Sequence, residues 1–359
     1  MTGRNVRRAR RAVWTAILTL LGLVAVACAK DAPQDTLVPV GPVAEQADNL
    51  FRPVFWIATV IFVLVEGLLV FALIKFRQRS SRDVPKQIHG NQRLEIIWTI
   101  IPAVLLAGIG LPTVITIFDV AERPVGANVV HVKVTAHQWW WEYEYTDLAV
   151  PGGGKLKTAN ELVIPTGRWV DLEMTSADVI HSYWIPKLAG KQDVVPGRTT
   201  YLKLRSDQPG VFEGQCAEFC ALSHANMRLR AIALTPDAFD AWAAREVSPS
   251  TANPPDAMAM GFGLMASPLQ GGNTCFSCHT VRGHPGSSGA AVGPDLTHFA
   301  SRTTFAGSML PLTPDARGRG NLFEWLDDPP AVKPGSFMPD YNLTKEQIDA
   351  LVAYLMALK

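Results

Sequence analysis

Two apolar runs near the N-terminus decide the broad shape of this chain. Val54–Ile74 carries one charge, Glu66, and Ile96–Phe118 carries none. A hydrocarbon layer about 30 Å thick is crossed by roughly 20 helical residues at about 1.5 Å each. Both runs are long enough to span it. Pro102 and Pro112 fall inside the second run, where a membrane helix tolerates them. The stretch between the runs holds Lys75, Arg77, Arg79, Arg82, Lys86 and Arg93 against one acid, Asp83. Cytoplasmic loops collect lysine and arginine, so this loop is expected inside and everything after Phe118 outside. A transmembrane hairpin over 51–120 is the expected first folded unit.

Ahead of it lies an export signal over 1–27. Arg4, Arg7, Arg8, Arg10 and Arg11 precede an apolar run from Ala12 to Ala27, and Cys28 follows. Small residues before a cysteine suggest lipoprotein processing at Cys28. An uncleaved third helix, or signal removal without lipid, is the alternative, although the run is short for a span. Residues 28–50 then form an extracytoplasmic segment.

Beyond the hairpin the pattern changes. Val129–Thr135 and Trp169–Met174 alternate, Thr199–Leu204 is strand-like, and Pro-Gly pairs punctuate the stretch to about Thr235. That spacing predicts an all-β sandwich or barrel over 121–246, closed by a short helix around Pro236–Arg245. A Ser/Pro/Asn-rich linker covers 247–255. Residues 256–359 predict a small all-α domain whose last helix carries Ile348, Leu351, Val352, Leu355 and Leu358 at helical spacing. Net charge is +1, so bulk charge points to no nucleic acid or polyacidic partner.

The five cysteines, Cys28, Cys216, Cys220, Cys275 and Cys278, do not form the framework of a disulfide-stapled scaffold. Cys216 and Cys220 stand beside His224 and Met227, and His181 lies upstream. Two thiolates, two imidazoles and a thioether suit copper. A second cysteine four residues from the first lets both sulfurs bridge two metals, with Met227 and the Glu218 carbonyl as weak axial ligands. A Cys₂His₂ zinc site leaves Met227 idle, and a Cys216–Cys220 disulfide leaves two histidines unexplained; both readings stay open on spacing alone. Cys275-Phe-Ser-Cys278-His279 fits the c-type haem attachment signature, against zinc as the alternative. A methionine further along would raise the haem potential. Met338, before Pro339 in a loop ahead of the last helix, is preferred to Met309 and Met356. Met258, Met260 and Met265 read as packing residues of an N-terminal helix.

The motifs His137-Gln-Trp-Trp-Trp-Glu-Tyr-Glu-Tyr145, Asp178-Val-Ile-His181-Ser-Tyr-Trp184 and Gly214-Gln-Cys-Ala-Glu-Phe-Cys220 with His224 and Met227 resemble subunit II of the haem–copper cytochrome c oxidases. The resemblance runs from the first span to Thr235. Gly293-Pro-Asp-Leu296, Trp325 and Lys333-Pro-Gly-Ser-Phe-Met338-Pro339 resemble class I cytochromes c over about the last hundred residues. The resemblance implies a cupredoxin-like Greek-key barrel. It also implies a binuclear copper A centre on His181, Cys216, Glu218 (through its carbonyl), Cys220, His224 and Met227. It implies one covalent haem c on Cys275, Cys278, His279 and Met338, and a magnesium shared by the Glu218 carboxylate with subunit I. Trp139 stands where electrons enter at the family's surface, Asp178 where it would orient the nearby histidine, and Glu95 where the family guards proton uptake in subunit I. Strand alternation would put Trp139 and Trp141 on one face and Trp140 on the other.

The implied role is subunit II of a terminal oxidase in a bacterial inner membrane, with subunits I and III as partners. Cytochrome c or a cytochrome bc complex is the implied donor, and oxygen is reduced in subunit I with proton pumping. The nearest alternative is a copper-A subunit of a nitric oxide reductase; a copper-handling or thiol-redox module is the binding-protein rival. Residues 256–359 hold seven Lys/Arg and nine Asp/Glu, so no strong field marks a docking face for the donor.

Overall fold

The computed structural model describes residues 32–77, 89–250, 258–284 and 292–359, with isolated positions elsewhere. Cys28, much of the expected export signal, most of the basic loop and most of the expected linker lie outside the described residues.

Helix α1 runs Pro42–Lys75 and α2 runs Gln92–Ala121. Proline at the first position of α1 suits a turn with no N–H to offer. Asn91 caps α2, its side chain accepting from the amides of Arg93 and Leu94. Helix α1 begins ahead of the expected residue 51, because the polar turn Pro42–Asn49 continues the helix out of the apolar stretch. Phe62, Leu73, Leu106 and Phe118 all point outward, away from any protein core. Such a surface is stable in hydrocarbon and not in water. Near the outer ends Gln46 donates to Asp119 at 2.6 Å, which ties the two helices together.

Ten strands follow: β1 Val130–His137, β2 Trp140–Ala149, β3 Lys155–Ala159, β4 Glu161–Pro165, β5 Val170–Ser176, β6 His181–Trp184, β7 Gln192–Val194, β8 Thr200–Leu204, β9 Gly210–Cys216 and β10 Arg228–Leu234. They form two five-stranded sheets, ordered β3-β2-β1-β5-β8 and β4-β10-β9-β6-β7. This is the expected cupredoxin-like domain, realised as a sandwich. Alternation along β1 and β5 sends Val132, Val134, Leu172 and Met174 inward, and Trp141, Tyr143 and Tyr145 fill the same core. Full burial of a side chain such as Leu172 stabilises by about 1.5–3 kcal/mol. A core of this kind tolerates irregular, ligand-bearing loops at its edge. Helix α3, Pro236–Val247, lays Phe239 and Trp242 against it.

The last domain is small. It comprises α4 Ala259–Ala266, the short strands β11 Thr304–Phe305 and β12 Leu310–Pro311, α5 Ala316–Asp327, α6 Pro329–Val332 and α7 Lys345–Leu355. Thr344 and Gln347 form a capping box at the start of α7, and Ile348, Leu351, Val352 and Leu355 are buried as the spacing predicts. Of the three methionines expected to pack near α4, Met265 is buried but Met260 is exposed. Helix α4 turns only one narrow face toward α7, and Met260 lies off it.

Candidate functional site

The copper-ligand candidates converge at one end of the second sheet. Cys216 ends β9, and the chain crosses a short loop through Cys220 and His224 before β10 resumes after Met227. His181 opens β6, the strand hydrogen-bonded to β9. Sheet register therefore brings a residue 35 positions upstream beside Cys216. The two sulfurs are 3.8 Å apart and both are free thiols, far beyond the roughly 2 Å of a disulfide bond. His181 Nδ1 faces Cys216 Sγ at 3.8 Å, and His224 Nδ1 faces Cys220 Sγ at 3.6 Å. Met227 Sδ is 3.9 Å from Cys220 Sγ, and the Glu218 carbonyl is 3.2 Å from Cys216 Sγ. All six expected groups thus meet, and the Glu218 residue itself is exposed to the outside.

Electrostatics prepare the site. The contact with Cys220 holds the Cys216 thiol well below its ordinary range, while that same contact and burial push Cys220 up. The pair therefore gives up its first proton readily, as thiolate ligands must. Burial alone would lower the His181 imidazole, but hydrogen bonds to Asp178 and Cys216 outweigh it and move it up. Asp178 Oδ1 lies 2.8 Å from His181 Nε2, which leaves Nδ1 aimed at the sulfurs. Its other oxygen accepts from the Gln138 amide at 2.6 Å. A carboxylate behind a ligand histidine fixes the ring's tautomer and orientation. The donor chemistry fits copper: two soft sulfurs, two imidazoles and a thioether, with the carboxylate standing behind.

The second site is a cleft lined by Cys275, Cys278, His279 and Met338, and walled on one side by Gln138 and Trp139 of the sandwich. Cys275 opens a single helical turn and His279 follows directly. The Pro294 carbonyl lies 2.8 Å from His279 Nδ1, so that nitrogen is the N–H and Nε2 is the free donor. Burial lowers the His279 imidazole and keeps it neutral. Gly293 lies so close that a Cβ there would sit 2.7 Å from the His279 ring. Two thiols, one oriented neutral imidazole and a thioether around one apolar cleft fit a covalent haem.

Trp139 is not on the surface, where its counterpart was expected. It is 5% exposed because the last domain covers it. Its indole N–H donates to the Cys220 carbonyl at 2.7 Å, and its ring stacks on Phe337 at 5.8 Å between centroids. Phe337 adjoins Met338. The three tryptophans also do not alternate: β2 begins at Trp140, Trp139 lies in the preceding turn, and all three are buried. Glu95 lies exposed in the first turn of α2. Two residues with no role assigned from sequence, Glu161 and Lys333, are buried where the sandwich meets the last domain. A charged residue with no apolar reason to be buried was the available signal, but burial is not legible in a single sequence.

Fold and sites together define a membrane-anchored subunit with a cupredoxin-like metal domain joined to a cytochrome c domain. The chain matches the transmembrane domain of cytochrome c oxidase subunit II over residues 36–115 and its periplasmic domain over 148–233. Cytochrome c matches over 269–359. Cytochrome c oxidase subunit 2 of Alkalihalophilus pseudofirmus is 37% identical over 350 residues, 95% of this chain and 96% of that protein. That of Bacillus sp. strain PS3 is 36% identical over 79% of this chain and 80% of the relative. That of Bacillus subtilis is 30% identical over 96% of each. The chain belongs to the cytochrome c oxidase subunit II family, with a fused cytochrome c domain, and it is a membrane protein with an extracytoplasmic domain.

Proposed function

We propose that this chain takes electrons at a covalent haem c and passes them through a binuclear copper A centre to the haem of subunit I. There oxygen is reduced to water with proton pumping, in a bacterial inner membrane with subunits I and III. When bound, the copper pair and the haem supply one-electron carriers. Cys275 and Cys278 would attach the haem, with His279 and Met338 as axial ligands. His181, Cys216, Glu218 by its carbonyl, Cys220, His224 and Met227 would hold the coppers. Two centres rather than one tetrahedral zinc are supported by the histidines facing different sulfurs. His181, Cys216 and Cys220 offer atoms within 4.8 Å of one another, a cluster that does not take in His224. The exposed Glu218 carboxylate is free to share a magnesium with subunit I, and the exposed Glu95 to collect protons for it.

The observation that carries the reading is Trp139. One side chain stacks beside the Met338 loop and donates to the carbonyl of Cys220, so it touches the surroundings of both sites. It orients the loop and excludes water between them. Rapid reduction of the haem in the purified complex, followed at the copper absorption, tests this. Electrons are expected at the copper pair before any oxygen is consumed; copper that stays oxidised while the haem is reduced would refute the route. Turnover of oxygen and not nitric oxide is expected, in keeping with relatives that are cytochrome c oxidase subunits. Glu95→Gln is expected to slow turnover and leave haem-to-copper transfer fast. Unchanged turnover would reduce Glu95 to a charge at a helix N-terminus, worth about 0.3–1 kcal/mol.

A further inference from the structure

Two ionisable side chains outside both ligand sets are each only 4% exposed at the seam between the sandwich and the haem-attachment domain. They reach in opposite directions. Glu161, the first residue of β4, accepts from the Thr303 amide at 3.0 Å, from Thr303 Oγ1 at 2.6 Å and from Thr304 Oγ1 at 2.7 Å. Lys333, in the loop after α6, places Nζ 2.5 Å from the Trp139 carbonyl and 3.2 Å from the Ala306 carbonyl. The backbones pass closely around these contacts. The Arg228 amide donates to the Gly307 carbonyl at 3.0 Å, and Ser223 Oγ donates to the Pro334 carbonyl at 2.5 Å. Gly335, at φ +83°, leaves room for Trp139: a Cβ there would lie 2.7 Å from the indole ring.

Burying a lysine is costly unless its donors are satisfied. Simple adhesion between two domains is served by apolar groups, which carry no such cost. Lys333 instead matches one carbonyl from each domain, and the carbonyl it takes from the sandwich belongs to the residue that touches Cys220. We infer that Lys333 is a positioning residue. It fastens the Trp139 backbone to the haem-attachment domain and, with Glu161, clamps that domain in place. Trp139 is thereby an internal relay that a soluble donor does not reach, and the donor must be received on the haem-attachment domain. The inference rests on the reading of Trp139 as the route between the two sites.

Lys333→Met keeps the apolar stem and removes both donors. In the purified complex, amide exchange at Arg228 and across 335–338 is expected to rise, while exchange in the sandwich core stays constant. Haem-to-copper transfer is expected to fall severalfold, because the Trp139 backbone is no longer fastened to the haem-attachment domain. The haem and copper spectra, and transfer from copper onward, stay unchanged. Lys333→Gln retains an N–H donor and is expected to fall between. Glu161→Gln is expected to raise exchange at Thr303 with a smaller effect on transfer. Unchanged exchange and unchanged transfer in Lys333→Met would overturn the clamp. A lost methionine–iron band or altered copper spectrum would also overturn it, by placing Lys333 within one site. Absent transfer in the wild-type complex would sink the route itself, and exchange would still decide the clamp.

Discussion

The proposed copper site and the proposed haem site are both built from two cysteines and a histidine close in sequence plus a distant partner, yet they are held differently. In the sandwich the distant partner, His181, sits on a strand paired with the strand that ends in Cys216. A ladder of backbone hydrogen bonds sets its place, and Asp178 sets its ring. In the last domain the distant partner, Met338, lies in a loop after the single turn of helix α6. No ladder reaches it. Packing against the small core, the Ser336 hydroxyl beneath its amide at 3.3 Å, and the seam with the sandwich hold it instead. The first site is therefore set by its own sheet, and the second in part by its neighbour.

The largest effect should come from the sheet-built site. Cys216→Ser leaves one sulfur that cannot bridge two metals, so the shared-electron copper spectrum should vanish while the haem spectrum persists. Metal analysis giving a full copper pair in Cys216→Ser would show that the bridge is not needed. Met338→Ala is next. It should remove the sulfur–iron absorption band and lower the haem potential, because methionine ligation raises it, with the copper spectrum unchanged. The same loss from Met309→Ala instead would reassign the ligand. Asp178→Asn should be milder. It keeps the fold and removes the charge behind His181, and partners of this kind are worth about 10–100-fold in metal affinity. Copper competition with a chelator measures it; an unchanged affinity would mean that the sheet alone orients the ring.

The same contrast explains what could be read from sequence. Cys216, Glu218, Cys220, His224 and Met227 lie within one short segment, and His181 sits in a motif of its own, so the cluster could be picked out in the sequence; spacing alone left zinc and a disulfide open, and the full ligand set came from the family resemblance. Cys275, Cys278 and His279 were legible for the same reason. The two long helices followed from hydropathy, although the start of α1 did not, since polar residues continue a helix without an apolar signal. Alternation failed at Trp139–Trp141 because a turn interrupts the strand there and a second domain covers the exposed side. Glu161 and Lys333 were invisible for a related reason. Their partners, Thr303 and Trp139, lie more than a hundred residues away in sequence, and contacts between domains leave no periodic trace.

The last predicted effect acts on the seam itself. Burial pushes the Lys333 ammonium from its ordinary 10.5 down to about 7, with the Cys220 sulfur pulling the other way. Released into water by undocking, the side chain would titrate near 10.5 again. Between these two values the undocked form holds a proton that the docked form lacks, so docking strengthens as pH rises through this window. Below about 7 both forms are protonated and the slope disappears; above 10.5 neither is. The slope is at most ~1.4 kcal/mol per pH unit. A neutral amine suits the seam, since its two N–H groups match the two carbonyls of Trp139 and Ala306. Protection of the Arg228 amide, corrected for the intrinsic exchange rate, should therefore grow between pH 7 and 9 in the wild-type complex. It should be flat in Lys333→Met. Equal slopes in the two proteins would mean that Lys333 does not titrate at the seam, and that the haem-attachment domain is held by packing as local as the sheet that holds copper.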